Sequence, residues 1–244
     1  MYPKHFFEMF RPNIQTDMVF VGMSFETEEE FRWRDIIRPA IADAGMDGYK
    51  ADARLFSDSI NIDIMQGINN AKILLFDISS ETDGNLNGNV MYELGLAHAV
   101  RLPEEVLVIR STEEDLLFDV GNLRVHQYST QDLQTARHQV ALLIAGSVAS
   151  IESTKRLVIE KAISLLDEVC LVMIRNHSTQ ESFSLTVPNA AFEPETIEKR
   201  SSIRRMMDLG LLALVWRKTD SAYAYSWTPA GRAVANYLGF PGPE

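Results

Sequence analysis

The chain has 244 residues, 46% of them hydrophobic, and its 34 acidic and 23 basic side chains give a net charge of −11. This length allows one large domain or two small ones, and the hydrophobic fraction supports a real core. The sequence shows neither a basic-then-apolar leader nor an uncharged apolar run of about 18 residues, so we expect a cytoplasmic protein without a membrane partner. The single cysteine, Cys170, excludes an internal disulfide, and the five histidines lack local metal-site spacing, so we expect no metal and no cofactor.

Charge divides the chain into two parts. Residues 1–149 hold 12 basic and 23 acidic side chains, whereas residues 150–244 hold 11 of each. The acidic first part is unsuited to wrapping nucleic acid, because phosphate binding needs positive potential. We predict an N-terminal arm over 1–16, a first domain over 17–148 and a second domain over 149–244.

Strand and helix patterns alternate along the first domain. Five apolar or alternating runs are typical of strands, and the segments between them show helical spacing or loop composition. The predicted strands cover residues 18–24, 48–53, 72–77, 105–110 and 124–128. Parallel strands need helical crossovers, so the alternation predicts an α/β fold with a doubly wound, flavodoxin-like parallel sheet of about five strands.

The third strand ends in Asp77, and a loop rich in Gly and Asn leads from it into a helical pattern. The carboxyl ends of such strands are where α/β proteins bind ligands. Asn89 and Glu93 are four residues apart, so both would point into a crevice above the strand. Both are equally suited to an ordinary helix start, since Asn is a favoured cap and an acid near a helix N-terminus is stabilised by the helix dipole.

The loop after the second strand adds three polar candidates at the rim of the same crevice: Asp52, Arg54 and Asp58. Arg54 is suited to a phosphate or a ribose. A solvated loop cation is the simpler interpretation of this residue.

The segment Asn-Val-Met-Tyr-Glu-Leu-Gly-Leu-Ala-His-Ala over 89–99 resembles the signature of the nucleoside 2-deoxyribosyltransferase-like and TIR-like superfamily. Shorter matches follow in the same order over about residues 17 to 130. They are Val19–Phe25, Ala51-Asp52, Ser59-Ile60 and Phe118-Asp119 with Arg124 and Tyr128. The resemblance implies that Glu93 is a catalytic carboxylate that attacks or stabilises the sugar carbon of an N-glycosidic bond.

The resemblance also implies roles for the neighbours of Glu93. Asp77, the second predicted catalytic residue, or Asp83 would hydrogen-bond or protonate the leaving base, although a nicotinamide ring departs neutral and needs no proton. Other residues would position ribose hydroxyls or stack on a ring. The predicted substrate-binding residues are Ser24, Phe25, Arg54, Asp83, Asn89 and Tyr92.

Two further features resemble the TIR-like branch, in which NAD is hydrolysed: the Ala-His-Ala ending and the Phe-Asp, Arg and Tyr piece. We therefore favour hydrolysis of NAD or a related nucleotide. A nucleoside 2-deoxyribosyltransferase or nucleoside hydrolase is one alternative. A non-catalytic nucleotide-sensing regulator with a DNA-binding second domain is another, and Glu93 discriminates, because a sensor has no need of a carboxylate at the glycosidic bond.

The second domain follows a segment, about 131–174, that is helical almost without a break, with Gly146-Ser147 as the only hinge signal. A helix near 195–209, strands over 212–218 and 222–227 and a helix from Thr228 then resemble a winged helix. This domain order resembles effectors of bacterial retrons and other phage-defence systems, which implies a regulated effector.

The expected partners follow from charge and hydrophobicity. Because the second domain is neutral and attached to an acidic one, we favour protein or an RNA–protein complex over sequence-specific DNA as its partner. Residues 157–174 are apolar on most faces, which predicts a homo-oligomer if they are not buried within the second domain.

Overall fold

The computed structural model of the chain describes residues 16–26, 30–50, 60–112, 123–184, 194–219, 221–240 and 242. Arg54 and the other candidates of its loop lie outside the described residues, as do the Phe118-Asp119 pair and the predicted arm apart from Thr16. The chain divides into two compact units, Met1–Glu152 and Ser153–Glu244.

The first unit contains a five-stranded sheet in the order β2-β1-β3-β4-β5, and each neighbouring pair is parallel. The strands are β1 (Thr16–Gly22), β2 (Asp47–Lys50), β3 (Ala71–Asp77), β4 (Val106–Arg110) and β5 (Val125–Gln127). The helices are α1 (a π-helical turn over Arg32–Ile37, then α-helix over Arg38–Asp43), α2 (Ile60–Asn70), α3 (Gly88–Val100) and α4 (Leu133–Ser164). This architecture confirms the predicted flavodoxin-like α/β fold.

Helices cover both faces of the sheet. Ile73 and Leu75 of β3 belong to a buried cluster with residues of α1 and α4, whereas Leu74 and Phe76 belong to a second cluster with residues of α2 and α3. Successive side chains of a strand point to opposite faces, so a strand buried on both sides must be apolar throughout. This explains the continuous apolar run that ends at Asp77.

The hinge predicted at Gly146-Ser147 is wrong, because α4 runs through this pair to Ser164. The helical segment breaks instead between Ser164 and α5 (Glu168–His177). Asp167 caps α5, since its side chain accepts a hydrogen bond from the backbone N–H of Cys170. The capping side chain of Asp167 thus marks the start of the new helix. Within the described ranges, no helix is both long and apolar enough to cross a membrane.

The second unit contains α5, α6 (Pro194–Asp208), α7 (Pro229–Tyr237) and an antiparallel sheet in the order β6-β8-β7. Its strands are β6 (Ser182–Phe183), β7 (Leu212–Arg217) and β8 (Ala222–Trp227). The unit has a core of its own, which includes Cys170, Met206 and Trp227. The helix, hairpin and final helix occur where the sequence predicted them, and their assignment to a winged helix stays a prediction.

Candidate functional site

The strand order reverses between β1 and β3, because β2 lies on one side of β1 and β4 and β5 lie beyond β3. Flavodoxin-like sheets bind ligands outside the carboxyl ends of the strands at this reversal. Gly22, the last residue of β1, pairs with Phe76, the next-to-last residue of β3. The loops that follow these two strands therefore meet at one place, and we call residues 22–25, 78–87 and Glu93 the switch-point site.

Glu93 is the buried acid of this site, with a residue exposure of 8%. Helix α3 turns an apolar stripe toward the sheet, and Glu93 falls on it between Val90 and Leu94. Burial raises the pKa of Glu93 to about 7 from an ordinary value of 4.5. Among the described residues, no hydrogen bond or ion pair to its carboxylate accompanies this burial. The helix thus holds a carboxylate in a poorly hydrated place, and none of the described residues puts a cation beside it.

Gly22 makes room for this carboxylate. A Cβ atom on Gly22 would lie 3.1 Å from Oε2 of Glu93 and 2.5 Å from Cδ1 of Phe76. Such a contact with the ring is closer than real Cβ atoms make, so only glycine fits here without a shift. The end of β1 therefore brings bare backbone against the acid.

A carboxylate that the sequence did not single out, Glu81, joins the two loops. Its Oε1 accepts hydrogen bonds from Ser24 Oγ at 2.8 Å and from Asn87 Nδ2 at 2.5 Å. Asn87 is also the N-cap of α3, because its Oδ1 accepts from the backbone N–H groups of Asn89 and Val90. Glu81 thus connects the loop after β1 to the start of the helix that carries Glu93.

Asp77 lies in a buried network of its own. Its Oδ1 accepts from the backbone N–H and the hydroxyl of Ser79, and its Oδ2 accepts from the Tyr128 hydroxyl at 2.8 Å. Nε of Arg32 lies 3.3 Å from the same Oδ2, and both side chains are almost fully buried. Both oxygens of Asp77 are therefore engaged, which is typical of an acid that holds structure together. A catalytic role for Asp77 stays a prediction.

The ring of Phe25 lies beside a cation and is only partly exposed. Nζ of Lys50 lies 5.1 Å from the centre of the Phe25 ring and 5.8 Å from that of Trp33. The same ammonium pairs with Glu30 at 2.7 Å. Phe25 itself is 37% exposed, so one part of its ring is accessible for stacking.

The remaining predicted residues lie at the outside of the site. Asp83 is exposed and accepts hydrogen bonds from the side chain and the backbone of Asn85, which lower its pKa. An acid with a lowered pKa is unsuited to protonating a leaving base at neutral pH. Asn89 and Tyr92 are also exposed, Tyr92 by 60%. Asn89 therefore lies at the outer edge of the site and does not share the buried position of Glu93.

Sequence reasoning missed Glu81, Lys50 and Arg32 for two reasons. Glu81 is the first acidic residue after Asp77, so its position just beyond a buried strand was a usable signal. The ion pairs of Arg32 with Asp77 and of Lys50 with Glu30 join residues far apart in the chain, and no local spacing reports such contacts. Within the described ranges, no group of three or more His, Cys, Asp or Glu side chains is arranged to hold a metal ion.

No family model matches the chain, and no curated protein matches it. Among solved structures, the chain is similar to the flavodiiron core of Flv1 from Synechocystis sp. PCC6803, with 10% identity, a TM-score of 0.40 and coverage of 56% of this chain and 36% of that one. A prokaryotic SEFIR domain has 14% identity and a TM-score of 0.39, with coverage of 53% and 92%. The rubredoxin oxygen:oxidoreductase of Desulfovibrio gigas has 12% identity and a TM-score of 0.37, with coverage of 60% and 38%. The chain thus spans little more than a third of the length of the flavodiiron core and of the oxidoreductase, and its fold assignment depends on its own strand order.

Proposed function

We propose that the first unit is an N-glycosidase that hydrolyses NAD or a related nucleotide at the switch-point site. The observation that carries this proposal is the buried carboxylate of Glu93, which has no cationic partner among the described residues. Cleavage of an N-glycosidic bond passes through an oxocarbenium-like transition state. A carboxylate next to the sugar carbon stabilises that positive charge or traps it as a covalent intermediate.

The reaction balances without a further reagent. The bond between C1′ and the ring nitrogen breaks, and its electron pair leaves with the base. The oxygen of water forms the new bond to C1′, and the proton released from that water passes to a carboxylate or to solvent. For a pyridinium leaving group the ring departs neutral, so no acid is needed to protonate it.

The burial of Glu93 without a cationic partner among the described residues supports a cationic nucleotide in particular. Because ionising a desolvated acid is costly, a pKa of about 7 leaves Glu93 partly protonated at neutral pH. A positively charged nicotinamide ring nearby would favour the ionised carboxylate, as any opposite charge does within about 4–6 Å. Substrate binding would then generate the charged form that the transition state requires.

One observation supports the alternative of a nucleoside hydrolase or 2-deoxyribosyltransferase. A neutral base leaves more easily when it is protonated, and a carboxyl group with a pKa of about 7 is well suited to giving up a proton at neutral pH. In that case Glu93 would act as the acid, and a second carboxylate would have to face the sugar carbon.

Regulation by the second unit is a further part of the proposal. Its support is the domain order, which resembles phage-defence effectors. The second unit also has a hydrophobic core of its own, as a separate regulatory module requires. We expect that module to contact protein or an RNA–protein complex and the chain to form homo-oligomers.

Base release decides between these functions. The wild type and Glu93→Gln are incubated with NAD, NADP, nucleosides and deoxynucleotides, and the free base is measured by chromatography. Glu105→Gln is the matched control, because Glu105 is equally buried but is paired with Arg101 outside the site. We expect release from NAD or NADP by the wild type and the control alone. Release from nucleosides only would favour the alternative enzyme, and tight binding without release by all three variants would favour a nucleotide sensor.

A further inference from the structure

One oxygen of Glu81 is held by hydrogen bonds, whereas the other has none to the residues that the structure describes. Its Oε1 accepts from Ser24 and Asn87, whereas no hydrogen bond to Oε2 is found among the described residues. The side chain is half-buried within the loop that follows β3. A carboxylate fixed through one oxygen presents the other in a defined direction, at the place where this fold binds ligands.

The end of β1 and the loop after it contact both Glu93 and Glu81. Gly22 lies against the Glu93 carboxylate, and Ser24, two residues further along the chain, donates to Glu81. Two residues span at most about 7 Å of extended chain. A ribose whose C1′ faces Glu93 therefore lies beside the loop that carries Ser24, the hydrogen-bond donor to Glu81.

Ser24 is a poorer candidate for direct contact with the sugar. Its side chain is buried, with a residue exposure of 2%, and its hydroxyl already donates to Glu81. A carboxylate oxygen is a strong acceptor for hydroxyl groups and accepts from two of them at once. The group best arranged to bind a vicinal diol in this site is therefore Glu81.

We infer that Glu81 is a specificity-determining residue, whose Oε2 accepts hydrogen bonds from the 2′- and 3′-hydroxyls of ribose. The substrate class would then be ribonucleotides rather than 2′-deoxyribonucleotides, because a deoxyribose leaves this charged acceptor with one partner fewer. The inference rests on the proposed function, since it takes the sugar of the scissile bond to lie at Glu93.

Binding to a protein that cannot turn over the ligand gives a test separate from activity. Calorimetry compares NAD with its analogue that carries 2′-deoxyribose on the nicotinamide side, both titrated into Glu93→Gln. We expect the ribose form to bind at least about tenfold more tightly, as charged hydrogen bonds typically contribute. Adding Glu81→Gln should reduce this preference to threefold or less, because glutamine keeps an oxygen for Ser24 and Asn87 but presents an uncharged amide nitrogen to the sugar.

Glu26→Gln is the matched control. Oε2 of Glu26 accepts from the backbone N–H and the hydroxyl of Thr82, so this acid also links the two loops. Its replacement should leave the preference for ribose unchanged. If Glu81→Gln does not fold, Glu81→Asp tests the same contact, because it keeps the charge but withdraws it by one methylene, and the preference should again fall.

The outcomes separate this inference from the proposed function. Base release by the wild type together with an unchanged ribose preference in Glu81→Gln would overturn the role of Glu81 and leave the enzyme intact. A ribose preference that depends on Glu81, without base release, would support the role of Glu81 and refute the hydrolase. Equal binding of both sugars to the Glu93→Gln protein, or no binding of either, would overturn the inference.

Discussion

Replacing Glu93 with glutamine should stabilise the first unit at and above neutral pH. The folded-state pKa of Glu93 is about 7, against an ordinary value of 4.5 for the unfolded chain. Between these values the native state keeps a proton that the unfolded state has released, so the free energy of unfolding falls by about 1.4 kcal/mol per pH unit. Glutamine has no such dependence. The advantage of Glu93→Gln should therefore grow from roughly 1.5 kcal/mol at pH 5.5 to roughly 3.5 kcal/mol at pH 8.5.

Urea unfolding between pH 5.5 and 8.5 measures this advantage. Deuterium uptake in peptides from β3, read by mass spectrometry, follows the first unit by itself. Glu105→Gln again serves as the control, because its Oε2 lies 2.8 Å from Nε of Arg101, and its neutralisation should lower the free energy of unfolding. A Glu93→Gln protein that loses stability as the control does, or gains none at pH 8.5, would contradict the interpretation that this carboxylate is buried without a cationic partner.

Three further predictions concern buried groups. Asp77→Asn should lower the free energy of unfolding by about 3–5 kcal/mol in urea, because it removes one partner of the buried ion pair with Arg32. Unchanged stability with loss of base release would instead support a catalytic role. Gly22→Ala should reduce base release about a hundredfold although Glu93 is still present, since the added Cβ would lie 2.5 Å from the Phe76 ring and force a shift beside the site. Base release at the wild-type rate would contradict this. Cys170 is fully buried and burial raises the pKa of its thiol, so Ellman's reagent should react only when the second unit unfolds; rapid labelling of the native protein would contradict the buried position.

The strands and their order were predictable because the sheet is buried on both faces. Runs such as Ile73–Phe76 have no polar residue, and the helical segments between them require crossovers and so parallel pairing. Glu93 became a candidate because it follows the loop at the end of a buried strand, where such sheets bind ligands, and because residues 89–99 resemble a family signature. Sequence alone could therefore locate this acid without giving its partners.

Contacts between distant residues were not predictable in this way. The sequence suggested Asp77 as a catalytic group because of its place at the end of a strand, but its neighbours Arg32 and Tyr128 come from other parts of the chain. The break after Ser164 was missed for a similar reason. The capping oxygen of Asp167 is shared with Ser202, 35 residues away, and this contact leaves no periodic trace.

The described part of the first unit contains three strongly buried carboxylates, and their partners differ. Asp77 lies beside Arg32, and Glu105 pairs with Arg101, so each buried charge is balanced by an arginine. Glu93 has the same exposure as Glu105 but no cation among the described residues. An uncompensated buried acid lowers stability, so folding alone gives no reason to keep it on the apolar stripe of α3. A ligand that brings positive charge to the switch-point site would supply such a reason. The absence of a cation beside Glu93 among the described residues therefore supports the proposed cationic nucleotide more strongly than the presence of an acid alone.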